Sequence, residues 1–213
     1  MIKAILWDFG GVLTTSPFEA FARFEIERGL PKDFIRKINA TNPDTNAWAQ
    51  FERSEITLDQ FDRLFEAECA ALGHSVAGAD IIALLGGAVR PNMVNALNIC
   101  REKYNCTCLT NNVASGKGPG MARDAASQAA VREVMALFTQ VIESSKIGLR
   151  KPDPKIYEYA CEQMGVAPEE VVYLDDLGIN LKPAAAMGMT TIKVVSEAQA
   201  LRDLSAASGL SFS

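Results

Sequence analysis

Several polar residues that could hold a phosphate group and a metal ion follow short apolar runs in this 213-residue sequence. Asp8 follows the first run, Thr110 and Asn111 follow the second, and the pair Asp175-Asp176 stands at the end of a later one. Carboxylates bind Mg²⁺ and attack phosphorus, whereas hydroxyl and amide groups donate hydrogen bonds to phosphate oxygens. Lys151 adds a positive charge to the set. These residue types predict a Mg²⁺-dependent phosphate site if the fold brings them together.

The apolar runs themselves predict the elements that would position these side chains. Buried strands are expected at residues 2–7, 106–109, 138–142, 171–174 and 191–195, because most of these runs are rich in β-branched or aromatic residues. Helical patterns separate the later runs, at residues 92–103, 121–136, 154–164 and 181–187. This alternation predicts an α/β fold, a Rossmann-like parallel sheet flanked by helices. Ligands of such sheets bind beyond the carboxyl ends of the strands, so the polar residues should meet there.

Residues 16–89 have a different pattern, with amphipathic helical segments at 17–28, 33–39, 46–52 and 58–72. Thr57 is a candidate N-cap, and Gln60 three residues later completes a capping box. This helical segment between two strands is longer than one crossover connection requires. It therefore indicates an inserted helical unit over the strand ends. We therefore predict a core domain of residues 1–15 and 90–213 and an α-helical cap domain of residues 16–89.

Four segments together resemble the ordered motifs of the haloacid dehalogenase superfamily. They are DFGGVL at residues 8–13, TN at 110–111, KPDP at 151–154 and LDDLGINLKPA at 174–184. The resemblance covers nearly the whole chain, with residues 16–89 in the place of that family's helical cap. Within the superfamily, the chain is most similar to the N-terminal phosphatase domain of soluble epoxide hydrolases. Their cap carries a segment similar to Glu55-Ile56-Thr57, although Ser54 stands where that resemblance leads us to expect a glycine.

The resemblance implies a hydrolase with a Mg²⁺ cofactor and a small phosphorylated metabolite as its substrate. Asp8 would be the nucleophile that forms an aspartyl-phosphate and would bind the metal with Asp176 and the main-chain carbonyl of Gly10. Lys151 would balance the carboxylates and hold the transferring group. The remaining motif residues have supporting roles: Thr110 and the amide of Asn111 would donate to phosphate oxygens, and Asp175 and Asn180 would assist the metal site indirectly or through water.

Gly10 departs from the family pattern, because phosphatases of this family typically have a second aspartate two residues after the nucleophile. That aspartate serves as general acid and later as general base, and such assistance is typically worth about 10²–10⁴-fold. Alkyl phosphates should therefore be hydrolysed slowly. For acyl or aryl phosphates, the rate of the first step should be reduced less. Thr14, Thr15 or a side chain of the cap is a candidate for a weaker substitute. Alternatively, Gly10 merely suits a tight turn after the strand, and both interpretations can hold together.

Two other functions remain open from the sequence. A degenerate member of the family would bind a ligand or a partner without efficient turnover, which Gly10 favours. A 2-haloacid dehalogenase would use Asp8 against carbon, but dehalogenases of this family need no metal and the adjacent Asp175 and Asp176 suit one.

The composition excludes several other classes of function. A net charge of −5 argues against broad nucleic-acid binding, which requires clustered Lys and Arg. The sequence has no run of about 18 apolar residues, so we expect no membrane span. The five cysteines form no zinc or redox spacing, and we expect reduced, apolar core thiols in a cytoplasmic protein. With His74 as the single histidine, the usual Ser-His-Asp or Cys-His catalytic sets are not expected. The sequence leaves the oligomeric state open.

The substrate itself is not readable from the sequence. Six aromatic residues of the predicted cap are candidates for an apolar lining of the pocket, but their helical spacing favours the cap core for most of them: Phe18, Phe21, Trp48, Phe51, Phe61 and Phe65. The glycine-rich stretch at residues 116–120 is either a mobile rim of the site or only a loop.

Overall fold

The computed structural model describes residues 1–113 and 124–212, and the predicted parallel sheet lies at its centre. Its strands are β1 (Ala4–Trp7), β2 (Asn105–Thr110), β3 (Gln140–Glu143), β4 (Val171–Asp175) and β5 (Thr190–Lys193). They are all parallel and lie in the order β3-β2-β1-β4-β5. Trp7 of β1 pairs with Cys108 of β2 on one side and with Leu174 of β4 on the other. The predicted α/β fold, a parallel sheet flanked by helices, is confirmed.

The described helices lie between and around these strands. They are α1 (Pro17–Glu27), α2 (Phe34–Ala40), α3 (Ala47–Glu52), α4 (Leu58–Ala70), α5 (Gly78–Ile82), α6 (Pro91–Arg101), α7 (Ala125–Met135), α8 (Ser144–Ile147), α9 (Pro154–Met164), α10 (Gly178–Ala186) and α11 (Glu197–Ser208), with a short 3₁₀ turn at Pro168–Glu170. None of them is both long and apolar enough to cross a membrane.

The central strand β1 is buried on both faces because helices cover both sides of the sheet. Its side chains alternate between two clusters, since successive residues of a strand point to opposite faces. Ile5 and Trp7 pack with residues of α6 and α11, whereas Ala4 and Leu6 pack with residues of α9 and α10. This double burial explains why the strand reads as a continuous apolar run.

Residues 16–89 contain α1 to α5 and have an apolar cluster of their own, centred on aromatic rings. Phe61 stacks on Phe51 with ring centroids 4.7 Å apart and lies 5.4 Å from Phe65. The predicted capping box of α4 is present: Gln60 N–H donates to Thr57 Oγ1 at 3.3 Å, and Thr57 N–H donates to Gln60 Oε1 at 2.8 Å. The division into core and cap domains stays a prediction, which this separate cluster favours.

The chain enters and leaves this helical segment along two adjacent stretches. Thr14 and Val89 form an antiparallel bridge, and Thr15 N–H donates to the Ala88 carbonyl at 2.8 Å. Far from this connection, Ser54 Oγ donates to the Ser145 carbonyl at 2.7 Å and joins the segment to α8. Ser54 has a φ of 58°, in the left-handed region that glycine adopts most readily. This conformation explains why a glycine is expected at this position.

Some elements differ from their predicted bounds. α5 and α8 have 5 and 4 residues and are too short to show a helical period, which is why the sequence did not predict them. α11 was also missed, because its buried stripe of Ala200, Leu204 and Ser208 contains a single large apolar residue. Part of the predicted helix at 121–136 and the glycine-rich stretch at 116–120 lie outside the described residues.

Candidate active site

The carboxyl ends of β2, β1 and β4 hold three of the predicted site residues side by side. Asp8 directly follows β1, and its main-chain N–H donates to the Leu174 carbonyl of β4 at 2.9 Å. Thr110 is the last residue of β2, and Asp175 is the last residue of β4. All three side chains are buried. The parallel register therefore collects these side chains at one edge of the sheet, as the sequence predicts.

Lys151 reaches the same edge from the segment between α8 and α9. Its Nζ lies 2.8 Å from Asp8 Oδ1 and 2.8 Å from Asp175 Oδ2, and its side chain is only 2% exposed. Burial of an ammonium group is unfavourable unless carboxylates compensate its charge. Lys151 is thus a buried partner of two aspartates and not a solvated surface lysine.

Asp175 is fully buried, and protein donors occupy both of its carboxylate oxygens. Besides Lys151, the Tyr173 hydroxyl and the Asn180 side-chain amide donate to it, the latter at 3.0 and 3.1 Å. The main-chain N–H of Leu177 donates to Oδ1 at 2.7 Å. With its oxygens so engaged, Asp175 is suited to orienting its neighbours and not to binding an ion directly.

Asp176 lies close to the position that a Cβ would take on Gly11 but not to the equivalent position on Gly10. A Cβ built on Gly11 would lie 2.2 Å from Asp176 Oδ2, and Gly11 has a φ of 77°. Only glycine fits there. Gly10 is different, because its φ lies outside the left-handed region and a Cβ would meet nothing within 4 Å. The interpretation that a turn requires glycine therefore applies to Gly11, and the backbone gives no reason for glycine at position 10.

The site holds more negative than positive charge. Carboxylate oxygens of Asp8, Asp175 and Asp176 lie within 4.8 Å of one another. Burial raises the pKa of Asp8 to about 8, an effect that Lys151 opposes and the two other aspartates reinforce. Burial and the charge of Asp175 raise the pKa of Asp176 to about 6. Burial alone would lower the pKa of Lys151, but its two carboxylate partners raise it above its ordinary value. An oxygen-rich, negatively charged cluster of this kind fits Mg²⁺.

Asn111 uses its side chain to hold the backbone of Lys151. Its Nδ2 donates to the Lys151 carbonyl at 3.0 Å, and its Oδ1 accepts from the Lys151 N–H at 2.9 Å. The neighbouring Thr110 lines the cavity described below. Because the side-chain amide is committed to Lys151, a phosphate would have to use the main-chain N–H of Asn111.

A cavity of about 490 Å³ lies between this sheet edge and the helical segment. Of the predicted site residues, all but Asp175 line it: Asp8, Gly10, Thr110, Asn111, Lys151, Asp176 and Asn180. The opposite wall comes from the helical segment and includes Phe18, Phe21 and Trp48. Phe51, Phe61 and Phe65 are fully buried in the aromatic cluster. Thus three of the six predicted aromatic candidates line the cavity, and the other three form the core of the segment.

Three further residues contact the site without having been predicted. Tyr173 lies within the apolar run of β4 and had no polar neighbour in sequence to mark it. Ser16 Oγ donates to Asp176 Oδ2 at 3.1 Å from the start of the helical segment. Glu52 at the end of α3 contacts both Asn111 and Arg150. A buried acidic residue on an otherwise apolar helix face is the signal that could have identified Glu52.

Comparisons with known proteins agree with this geometry. Residues 2–188 match the family model of haloacid dehalogenase-like hydrolases. Mouse bifunctional epoxide hydrolase 2 is 31% identical over 99% of the chain, but the chain spans only 40% of that protein. A glyceraldehyde 3-phosphate phosphatase from Methanocaldococcus jannaschii is 26% identical, over 92% of the chain and 86% of the relative.

A solved structure supports the fold alone. A haloacid dehalogenase family enzyme from Bacteroides thetaiotaomicron, in complex with magnesium and inorganic phosphate, superposes with a TM-score of 0.61. It is 22% identical, and the match covers 92% of this chain and 96% of the other.

Proposed function

Because this chain belongs to the haloacid dehalogenase-like hydrolase family, we propose that it is a Mg²⁺-dependent phosphatase of a small phosphorylated metabolite. The observation that carries the proposal is the buried Asp8 carboxylate, held 2.8 Å from Lys151 at the floor of the cavity. An acidic floor with one lysine repels a phosphate dianion until a divalent cation is present. The similarity to a glyceraldehyde 3-phosphate phosphatase adds support.

Asp8, Asp176 and the carbonyl of Gly10 would hold the metal ion. Asp175 and Asn180 would keep these ligands in place, since Asn180 donates to Asp175 and Asp175 accepts from the loop before α10. A bound Mg²⁺ would supply the positive charge that neutralises the phosphate oxygens.

The proposed reaction begins when an Asp8 oxygen attacks phosphorus in line and forms an acyl-phosphate, as the bond from phosphorus to the leaving oxygen breaks. Lys151 would hold the transferring group, and Thr110 and the Asn111 amide would donate to its oxygens. The leaving oxygen would take its proton from water, because position 10 carries no acid. A water molecule would then hydrolyse the acyl-phosphate and release inorganic phosphate. Slow hydrolysis of alkyl phosphates follows from this missing acid.

We also propose that residues 16–89 act as a cap that closes the cavity and contacts the leaving group. Three aromatic side chains on the cavity wall support this role. The five cysteines are free and buried, which agrees with the proposed cytoplasmic location.

A second candidate function is a ligand-binding protein without efficient turnover. Gly10 favours this candidate, since the open space at its Cβ position leaves Asp8 without a neighbouring general acid. Metal-independent dehalogenation is less compatible with the site, because Lys151 alone would compensate only part of the negative charge of the three carboxylates.

A direct test measures product release from p-nitrophenyl phosphate, acetyl phosphate and 2-chloropropionate, each with and without Mg²⁺. We expect Mg²⁺-dependent phosphate release that falls at least about a thousandfold in Asp8→Asn, because the nucleophile is lost. Asp59→Asn, an exposed substitution on α4, is the matched control and should keep full activity. Mg²⁺ binding without any turnover would favour the binding protein, and chloride release without metal would contradict both.

A further inference from the structure

One of the contacts between the helical segment and the α/β part is made through a buried carboxylate. Glu52, the last residue of α3, is buried, and its carboxylate accepts three hydrogen bonds. One comes from Trp48 Nε1 at 2.9 Å, within the same helix. The other two cross to the α/β part, from Arg150 Nε at 2.6 Å and from Asn111 Nδ2 at 3.2 Å.

The two crossing donors are directly connected to Lys151. Arg150 is its neighbour in the chain and also donates from a second guanidinium nitrogen to the Pro43 carbonyl at 3.0 Å. Asn111 pairs with both the N–H and the carbonyl of Lys151. A continuous series of hydrogen bonds thus runs from Glu52 through Asn111 to the Lys151 backbone, and from Lys151 Nζ to Asp8.

The direction of its hydrogen bonds argues against Glu52 as a proton donor. All three partners donate to its carboxylate oxygens, and one of them is the guanidinium of Arg150. Truncation of one partner would leave the other charge buried and unpaired, which is strongly unfavourable. Glu52 therefore does not replace the acid that is missing at position 10.

We propose that Glu52 is a positioning residue that couples docking of the helical segment to the placement of Lys151. The inference rests on the proposed function in taking Lys151 as the group that holds the transferring phosphate. When the segment is docked, Glu52 fixes Arg150 and Asn111 on either side of the Lys151 backbone. When the segment is undocked, Arg150 and Asn111 lose Glu52 as their shared acceptor. They then no longer hold the Lys151 backbone in place. The phosphate site is then complete only under a closed segment.

The test compares Glu52→Gln with Glu55→Gln, whose residue pairs with Arg53 at an exposed position three residues away. Glutamine at position 52 removes the charge and presents an N–H to groups that are themselves donors. In Glu52→Gln we expect kcat for p-nitrophenyl phosphate with Mg²⁺ to fall about tenfold to a hundredfold, since small misplacements of catalytic groups have effects of this size. KM should change little, and Glu55→Gln should match the wild type.

A double-mutant cycle with Asn111→Ala identifies the route. If Glu52 acts through Asn111, kcat of the double variant should be little lower than kcat of either single variant. A purely structural role predicts instead a lower melting temperature with unchanged kcat in the folded protein, and that result would overturn the proposal. If Glu52→Gln does not fold, Arg150→Lys removes the Nε donor but keeps the charge, and it should give a smaller loss of kcat in the same direction.

A readout without turnover separates this inference from the proposed function. The buried ammonium of Lys151 should give slowly exchanging ¹⁵Nζ–H signals in protein labelled at lysine. We expect Glu52→Gln to broaden or shift these signals, whereas Glu55→Gln should leave them unchanged. Unchanged Lys151 signals in Glu52→Gln would contradict the coupling. If the signals change but the wild type releases no phosphate, the coupling stands and the phosphatase assignment fails.

Discussion

The two walls of the cavity are built from opposite kinds of chemistry. The sheet edge holds three aspartates whose carboxylate oxygens lie within 4.8 Å of one another, and a lysine that contacts two of them. Burial raises the pKa of two of these acids. The helical wall includes the aromatic side chains of Phe18, Phe21 and Trp48. Behind them lie further rings, with Phe61 packed against Phe51 and Phe65. The buried acidic groups of the first wall destabilise the fold but make the site reactive. The apolar side chains of the second wall shape the cavity without such a destabilising effect.

This difference explains which residues of the site could be predicted from the sequence. Chemistry at the sheet edge demands particular residue types at particular strand ends, so Asp8 and Lys151 could be identified together, as members of four ordered motifs. The aromatic wall demands only apolar surface of suitable shape, which many residues can supply. Under the proposed function, the charged floor would specify the reaction and the wall of the helical segment would select the leaving group.

The largest expected effect tests whether the helical segment is a separate unit. Phe61→Ala should lower the free energy of unfolding by about 3–5 kcal/mol, because it empties the centre of a packed aromatic cluster. If the segment has its own core, hydrogen exchange should rise in α1 to α5 and stay low in β1 and β4. Leu64→Ala on the same helix is the matched control, since Leu64 is 42% exposed and should have little effect. A uniform rise in exchange across the sheet would contradict the predicted division.

The next effect concerns the proton donor that the sheet edge lacks. Gly10→Asp should raise kcat for an alkyl phosphate about a hundredfold, near 2.7 kcal/mol, since a positioned acid and base is restored. Space for the side chain exists, because a Cβ at position 10 meets nothing within 4 Å. Gly11→Ala is the contrasting variant and should lose activity, as its Cβ would collide with Asp176. An unchanged rate in Gly10→Asp would indicate that another group already handles the proton.

Much of the fold and of the site geometry was predictable from sequence, for physical reasons that differ by residue. The strands were predicted because burial on both faces of a parallel sheet produces continuous apolar runs. Thr57 and Gln60 were predicted as a capping box because that motif is local in sequence. Glu52 was not predicted, since its partners Asn111 and Arg150 lie 59 and 98 residues away and only the folded chain brings them together. The roles of the site residues stay predictions until variants are measured.

The smallest expected effect concerns the destabilisation of the fold by the buried, ionised carboxylate of Asp8. The folded-state pKa of Asp8, about 8, lies above its ordinary value of 3.8, so the folded chain binds a proton more tightly than the unfolded chain. This contribution to stability is fully present below about pH 4 and is lost as the pH rises through 8. Asp8→Asn removes this part of the pH dependence and leaves the part that comes from Asp176. Without metal, we expect the variant to be about 1–2 kcal/mol more stable than the wild type at pH 8, since the lost pairing with Lys151 offsets part of the gain.

At pH 5 this advantage should shrink or reverse, because the wild-type carboxyl is then neutral in the folded state. Added Mg²⁺ should stabilise the wild type more than Asp8→Asn at pH 8, because it binds the folded site through the ionised carboxylate. Thermal unfolding at the two pH values, with and without Mg²⁺, checks both expectations. Phe61→Ala should show the same loss of stability under all four conditions, since the rings around it do not titrate and burial raises the pKa of Cys69 in the same cluster to about 12. If the change in stability relative to the wild type depended on pH in the same way for Asp8→Asn and Phe61→Ala, the proposed difference between the two walls would be contradicted.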